Sequence, residues 1–448
     1  METSAPRDPP RTLGAILRSI GPGLIITANI VGTGELIMTT RLGAQAGYTL
    51  LWFILLGCFI KVFVQIEWGR TTILTGRSSL QALNDLPGPR LRVSWAVWLW
   101  FGMYLGTFFQ LSGMLTALGS LMAPDGRPWA HRACAFLVAA SVAGLLLLGR
   151  YRLVERASTL MVAGFTLSTV LALALIQGTR WAVRPGELAS GFAFRFGDDF
   201  LTAFGAFAIT GVGAAELVFY PIWLLEKGYA RAAGPPDGTP AWEARARGWI
   251  RVMTVDAWAS MAIYTVATAA FYLLGAAVLH RDGLRVSDEQ MIPTLSRLYE
   301  SAFGGAGPWI FLAGAFMVLY STLFVSTASD GRLFADLLAI LGLLAPDAER
   351  GRRRAIRGAI VAVLLIALGL YLYGQARGGL PVSLVTVGAV AQGIMLPFLG
   401  LAAVYFRHRF IPAALRPGRT WTLFLWISFL AMTAVGVYQA GKTLSFWR

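Results

Sequence analysis

The sequence predicts an all-α integral membrane protein with two inverted repeats of five spans, broken spans 1 and 6, and an eleventh helix. Three observations lead to this fold class. Of the 448 residues, 56% are hydrophobic and 14% are charged, whereas soluble domains average about 25% charged residues. Apolar runs of about 20 residues, long enough to cross a bilayer, recur along the chain. Two similar six-residue stretches interrupt corresponding runs in the two halves, which is typical of inverted repeats.

The apolar runs divide the chain into eleven predicted spans within a single transmembrane domain, residues 1–448. Repeat one covers about 14–177, repeat two about 200–406, and the extra helix about 421–440. The similar stretches lie five spans apart, and because five is an odd number of crossings, the second copy is inverted. The predicted spans are 14–40, 48–69, 94–122, 131–149, 157–177, 200–225, 252–279, 306–329, 356–374, 381–406 and 421–440.

The net charge of +15 is explained by topology rather than by a polyanionic partner. If the N-terminus is inside, the cytoplasmic segments, including 70–93, 227–250 and 345–355, hold about twice as many basic residues as the outer ones. Because positive loops stay in the cytoplasm, we predict a plasma (inner) membrane protein with a cytoplasmic N-terminus and an outside C-terminus. Membrane lipid is an expected partner and nucleic acid is not.

Other sequence signals argue against several classes of protein. Cys58 and Cys134 fall in apolar spans, so no disulfide framework is expected. Residues 1–11 lack a cleavable signal pattern, and span 1 is expected to serve as the insertion signal. The sequence shows no phosphate-cradling loop and no recognisable set of nucleophile, base and orienting group. We therefore expect neither an enzyme nor a bound cofactor.

The two similar stretches are Val31–Leu36 in span 1 and Val212–Leu217 in span 6, and each places glycine or alanine before a glutamate. A carboxylate inside a membrane span is costly and is by default a functional candidate. Paired interruptions at corresponding places in two halves point to the binding site of a transporter. The pattern therefore predicts a protein that moves a solute across the membrane.

In span 1, the residues Gly32, Thr33 and Gly34 are predicted to unwind the backbone and to turn its polar groups toward a cavity. Glu35 then supplies a hard anionic oxygen to a cation. The alternative is a glycine-lined packing face, with Glu35 near the outer surface and paired to Arg41.

In span 6, the corresponding candidates are Gly213, Ala214, Ala215 and Glu216. Pro221 removes a helical hydrogen bond and is predicted to help break or kink this span. The alternative is an ordinary kinked helix in which Glu216 bonds a neighbouring hydroxyl.

Spans 8 and 10 add further polar candidates. Gln392 in span 10 precedes Pro397, where another break is predicted, and its amide either completes a cation shell or bonds across helices. Ser326 and Thr327 in span 8 are candidates for a secondary cation such as sodium. Hydroxyls bonded to their own helix are the commoner arrangement.

Four charged residues within the spans are assigned structural roles. Lys61 and Glu67 in span 2 are expected to form an ion pair or to lie near the inner end of the span. Asp256 at the start of span 7 and Asp330 at the end of span 8 are expected to act as cap or gate residues.

Parts of the sequence resemble the Nramp family of divalent-metal transporters. The stretches Gly21–Leu24 and Gly43–Trp52 resemble the family's opening span and the turn after it. The pair Ser321-Thr322 in span 8 and the tripeptide Leu396–Phe398 in span 10 also look like family features. The resemblance implies a LeuT-type fold of eleven or twelve spans in which spans 1 and 6 are broken.

The resemblance also shows where this chain departs from the family. The family's Asp-Pro-Gly-Asn motif falls on Gly32–Glu35, and its Met-Pro-His-Asn motif falls on Ala215–Val218. The thioether that favours soft transition metals is thus lost, and a carboxylate appears one residue later. The family's acidic proton-pathway positions in span 3 fall on Thr107 and Gln110, which implies weak proton coupling or none.

Three hypotheses follow from these observations. The first is a monomeric secondary transporter of a divalent cation with a hard-ligand preference, Mg²⁺ or Mn²⁺, bound by Glu35 and Glu216. The second is a transporter of a small organic solute, such as an amino acid or amine and linked to sodium through Ser326 and Thr327, on the same fold. The third is a membrane sensor or scaffold that has lost transport.

Overall fold

A computed structural model describes most of the chain. The described residues are 6–32, 34–123, 127–148, 151–195, 200–208, 210–283, 296, 299–300, 303–345, 349–377 and 384–443. Within them, nine helices are long and apolar enough to cross a membrane. They lie where spans 2–5 and 7–11 are predicted: Leu51–Thr75, Trp95–Met122, Pro128–Leu147, Tyr151–Leu175, Pro240–Leu274, Gly307–Ile340, Glu349–Ala376, Leu384–Arg409 and Arg419–Thr443.

The predicted spans 1 and 6 are each built from shorter pieces, so the prediction of two broken spans is confirmed. Span 1 consists of the helices Leu13–Ser19 and Pro22–Ile30, the π-helix Gly34–Thr39 and the helix Thr40–Ala46. Span 6 consists of the helices Phe200–Phe207 and Ala214–Lys227. The first and second pieces of span 1 meet at an angle of 58°.

Short elements connect the spans. Two strands of two residues, Arg90–Leu91 and Val93–Ser94, pair antiparallel with Arg90 opposite Ser94. A π-helix, Gly275–His280, continues span 7. The remaining elements are the short α-helices Ser79–Asn84, Pro185–Ser190 and Tyr229–Ala233 and the 3₁₀-helices Ile176–Gly178, Gly304–Ala306 and Ala413–Leu415.

Two helices extend well beyond their predicted bounds. Span 7 begins at Pro240 rather than at 252, and span 8 continues to Ile340 rather than ending at 329. The added turns contain charged residues such as Glu243 and Asp336. Hydropathy detects only the membrane-crossing part of a helix, so it misses helical turns that continue beyond the apolar run.

The break in span 1 lies at its glycine-rich segment. The helix Pro22–Ile30 ends where Val31 leaves the helical region, and the Gly32 N–H donates to the Ile30 carbonyl at 2.7 Å across a tight turn. The chain then re-enters helix at Gly34. Unwound backbone at this depth is tolerated because it is enclosed by protein, and Val31 and Gly32 are both buried.

The break in span 6 lies between Phe207 and Ala214. Gly211 adopts a φ of +65°, a left-handed conformation in which a residue with a Cβ is strained. Pro221 lies inside the second helix, seven residues after that helix begins at Ala214, and the helix continues to Lys227. Pro221 therefore does not interrupt this helix, and the break is supplied by the glycine-rich segment before it; the alternative prediction, a kink at Pro221, stays a prediction.

The predicted break at Pro397 is also wrong. Span 10 runs without interruption from Leu384 to Arg409 with Pro397 in its interior. Span 11 packs closely against this proline, since a Cβ built on Gly436 would overlap the proline ring. Membrane helices accommodate proline when neighbouring helices pack around the freed backbone groups.

The broken spans occupy the centre of the bundle. The second helix of span 1 packs against spans 5, 7 and 8 and against the second helix of span 6. That helix of span 6 packs in turn against spans 2, 8 and 10. Spans 4, 5 and 11 are mostly unburied and carry large exposed apolar side chains such as Leu137, Leu160 and Leu430. The protein is a multi-pass membrane protein whose outer helices present an apolar surface suited to lipid.

The stretch 180–195 connects spans 5 and 6 at one end of the bundle and contains the short helix Pro185–Ser190; residues 196–199 lie outside the described part. Burial raises the pKa of Glu187, but the Arg184 N–H and the Arg281 guanidinium lower it by more, so its pKa lies below its ordinary value. The Glu187 carboxylate accepts from the Arg184 N–H at 2.8 Å and pairs with Arg281 at 2.6 Å. These contacts tie the short helix Pro185–Ser190 to the end of span 7.

Candidate functional site

Both candidate glutamates lie in the first turn after a break. Glu35 belongs to the π-helix that follows the break in span 1, and Glu216 belongs to the first turn of the second helix of span 6. Their relative exposures are 0% and 8%. Both carboxylates are therefore enclosed by protein.

Glu35 bonds to the broken segment of the other repeat. Its Oε1 accepts from the Gly211 N–H at 2.9 Å and from the Thr268 hydroxyl at 3.3 Å. Its Oε2 is buried and has no hydrogen-bond partner among the described residues. A buried carboxylate oxygen without a partner is costly, so Glu35 keeps one oxygen that a bound cation would satisfy.

Glu216 makes the reciprocal contact to span 1. The Asn29 amide in the helix Pro22–Ile30 donates to Glu216 Oε1, and the Ser326 hydroxyl of span 8 donates to Asn29 Oδ1 at 2.7 Å. Each glutamate therefore bonds to the broken span on which the other glutamate lies. The alternative that Glu216 bonds a neighbouring hydroxyl is wrong, since its partner is an amide. Asn29 and Thr268 were not among the predicted site residues, and the amide inside an apolar helix was the signal for Asn29.

Gln392 lies directly over the start of the second helix of span 6. A Cβ built on Gly213 would lie 2.6 Å from Glu216 Oε2 and 2.9 Å from Gln392 Oε1, so glycine leaves room for both groups. Gln392 Oε1 accepts from the Ala215 N–H at 3.2 Å, and its Nε2 donates to Gln110 at 3.1 Å. The structure thus brings Gln392 together with Glu216, and Ala214 is buried in the same turn.

Gly32 and Gly34 are the remaining described candidates in span 1, and both are buried. A Cβ on Gly32 would overlap the Thr322 hydroxyl, so span 8 approaches the backbone there as closely as glycine permits. Ser321 and Thr322 donate to the Ala28 carbonyl at 3.1 and 3.4 Å. Gly34 is buried at the start of the π-helix. Thr33 lies outside the described residues.

The predicted hydroxyl pair on span 8 does not act as a unit. Ser326 donates to the Asn29 side chain rather than to its own helix. Thr327 is fully buried, and its hydroxyl has no hydrogen-bond partner in the described part of the chain. Ser326 therefore belongs to the Glu216 network, and the two hydroxyls have different surroundings.

The predicted ion pair between Lys61 and Glu67 does not form. The Lys61 ammonium donates to the carbonyls of Phe207 and Thr210 in span 6. Glu67 pairs with Arg70 at 2.8 Å and with Arg407 at 3.2 Å. The two side chains serve different interfaces because they lie six residues apart on span 2, on different faces of that helix.

Asp256 is a cap, as predicted, but for a helix other than its own, and its predicted position at the start of span 7 is wrong because that helix begins at Pro240. Its Oδ1 accepts from the Gly21 N–H at 2.9 Å, and its Oδ2 accepts from the Gly23 N–H at 2.6 Å and from the Tyr220 hydroxyl at 3.1 Å. The carboxylate therefore supplies the missing cap of the helix Pro22–Ile30. Asp330 is buried well inside span 8, so its predicted position at a helix end is wrong.

The donors gathered at the two breaks are oxygen atoms. No group of three or more His, Cys, Asp or Glu positioned for a metal is present in the described ranges. The oxygen donors at the breaks include the carboxylate oxygens of Glu35 and Glu216 and the amide oxygen of Gln392. Such a set is typical of hard ions that keep part of their hydration shell.

Comparison with known proteins agrees with this architecture. The profile of the family described as natural resistance-associated macrophage protein-like, Nramp, matches residues 23–440. A divalent metal cation transporter MntH from Yersinia enterocolitica is 31% identical over 93 residues, which are 20% of this chain and 22% of that protein. An uncharacterized protein from Pasteurella multocida is 23% identical over 443 residues, covering 96% of this chain and 91% of its own.

Solved structures show the same fold. A manganese transporter from Eremococcus coleocola, solved as a point mutant, has a TM-score of 0.75 at 15% identity and covers 99% of this chain and 91% of its own. MhsT in complex with L-phenylalanine has a TM-score of 0.59 at 15% identity and covers 97% and 100%. The predicted LeuT-type fold is confirmed. Because the profile matches nearly the whole chain, this protein is a member of the Nramp family.

Proposed function

We propose that this protein is a secondary transporter of a divalent cation, Mg²⁺ or Mn²⁺, bound between the two broken spans by Glu35 and Glu216. The observation that carries the proposal is the pair of buried carboxylates in matched first turns, one of them with an unpartnered oxygen. Carboxylate oxygens are ligands that hard divalent ions prefer.

The relatives support the cargo class. The Yersinia protein is named a divalent metal cation transporter, and the Eremococcus structures are those of a manganese transporter. In this chain the site offers neither a thioether nor an imidazole, because Ala215 and Leu217 stand where the family has Met and His. We therefore propose preference for hard ions over soft transition metals.

The proposal includes weak proton coupling or none. Thr107 donates to the Tyr104 carbonyl of its own helix at 2.7 Å, and Gln110 bonds to Gln392. Neither side chain exchanges protons as a carboxylate does. We further propose a monomer with a cytoplasmic N-terminus and an outside C-terminus, in line with the distribution of basic residues.

The organic-solute alternative is disfavoured by the contacts of the backbone N–H groups. A substrate carboxylate would need free N–H donors at a half-helix N-terminus. In this structure the Gly211 N–H is bonded to Glu35, and the Ala215 N–H is bonded to Gln392. These two N–H groups are thus unavailable to a substrate carboxylate, whereas Glu35 Oε2 is an acceptor without a partner among the described residues.

Uptake by proteoliposomes tests the proposal. We expect saturable uptake of Mg²⁺ or Mn²⁺ by the purified protein, unaffected by dissipating a proton gradient, and no uptake of amino acids or amines. Protein-free liposomes give the background. Amino-acid or amine uptake without metal uptake, or the absence of flux for every divalent cation, would refute the proposed cargo.

A further inference from the structure

Lys61 carries a positive charge into the centre of the bundle. Its side chain is fully buried in the middle of span 2. The ammonium donates to the Phe207 carbonyl at 2.7 Å and to the Thr210 carbonyl, and lies 4.6 Å from the centre of the Phe207 ring. These carbonyls belong to the end of the first helix of span 6 and to the break that follows it, so neither is used by a continuous helix.

One peptide group joins Lys61 to the candidate metal site. The Thr210 carbonyl that accepts from Lys61 and the Gly211 N–H that donates to Glu35 belong to the same peptide bond. The ammonium and the carboxylate therefore lie at opposite ends of one peptide dipole. This arrangement satisfies both polar groups of the unwound peptide and partly offsets the Glu35 charge.

The surroundings of the ammonium are those of a small monovalent cation. Two backbone carbonyl oxygens and an aromatic face surround it, and both kinds of group also bind alkali cations. A compact ammonium with three donors fits such a place, whereas a planar guanidinium does not. Lys61, Lys227 and Lys442 are the three lysines of the chain, and the rest of its 38 basic residues are arginines. The chain thus uses lysine at a position that needs a point charge.

We propose that the Lys61 ammonium is a tethered cation that fills a monovalent-cation site beside the metal site. Because the ammonium cannot leave, the native protein takes up no Na⁺ or K⁺ there and its transport is independent of both ions. Removing the ammonium opens the site to an alkali cation. The independence of transport from Na⁺ and K⁺ rests on the proposed function. The claim that the ammonium fills a monovalent-cation site does not.

Ion-dependent thermal unfolding of two neutral variants tests the occupancy. Lys61→Met keeps the length of the side chain, and Lys61→Gln keeps one amide donor. We expect NaCl or KCl to raise the unfolding midpoint of at least Lys61→Met by about 2 °C or more over N-methylglucamine chloride at equal ionic strength. The native protein and the control Lys442→Met, altered at an exposed position, should show no such difference.

The unfolding midpoint is measured without transport, so a negative outcome here can be told apart from a failure of the proposed function. Equal midpoints in all three salts for Lys61→Met and Lys61→Gln would overturn the proposal. Failure to recover either variant folded in Na⁺ or K⁺ would overturn it equally, because a free cation would then be unable to replace the ammonium. An alkali-cation response of the native protein that matches the variants would also contradict it.

Discussion

Replacing Glu35 or Glu216 by glutamine is expected to reduce divalent-cation uptake by about ten-fold or more. Glutamine keeps the size of the side chain and one acceptor oxygen, so the contacts to the Gly211 N–H and the Asn29 amide can persist. What is lost is the negative charge that a dehydrated divalent ion requires. Initial rates of Mg²⁺ or Mn²⁺ uptake into proteoliposomes, at matched protein content, measure the effect.

Glu187→Gln is the matched control for these two variants. It removes a carboxylate that pairs with Arg281 at one end of the bundle, away from the breaks. Uptake by this variant should stay within about two-fold of the native rate, since an exposed ion pair contributes little. Native uptake by both Glu35→Gln and Glu216→Gln would exclude the two carboxylates as the ligands of the transported ion.

Replacing Asp256 by alanine is expected to destabilise the protein by about 3 kcal/mol or more. The change leaves the N–H groups of Gly21 and Gly23 and the Tyr220 hydroxyl without their acceptor in a buried place. It also removes the group that faces the N-terminus of the helix carrying Asn29. Thermal unfolding in detergent should show a midpoint lower by about 3 °C or more.

Two further variants separate this role from a general effect of losing an acidic residue. Asp256→Asn retains one acceptor oxygen and should lose less stability than Asp256→Ala. Asp237→Ala alters an exposed loop, where Asp237 accepts from Thr239, and should change the midpoint by about 1 °C or less. An Asp256→Ala midpoint equal to that of the native protein would contradict the capping role.

The breaks themselves were predictable from the sequence because their cause is local. Glycine lowers the cost of leaving the helix, and a glutamate among apolar residues marks a place that must be enclosed. Those two signals recur at Gly32–Glu35 and at Gly213–Glu216, and both predicted breaks are present. Because the two halves are inverted copies, the two breaks are expected to lie close together at the centre of the bundle.

The partners of the glutamates were not predictable, because they depend on packing between distant helices. No residue near Glu35 in the sequence indicates that its Oε1 accepts from the Gly211 N–H. Nor does any indicate that Lys61 donates to the Thr210 carbonyl, which belongs to the same peptide bond. Pro397 is the opposite case, in which the sequence signal for a break is present but the helix is unbroken. A local rule predicts a break, but the close approach of Gly436 lets the helix continue.

Locating bound Mn²⁺ by anomalous X-ray diffraction tests the central claim most directly. We predict a single strong anomalous peak between the broken spans, within about 2–3 Å of a carboxylate oxygen of Glu35 and of Glu216. The peak should weaken in Glu216→Gln. A peak elsewhere, for example beside Glu226 and Asp336, which both pair with Arg352, with none between the breaks, would contradict the account.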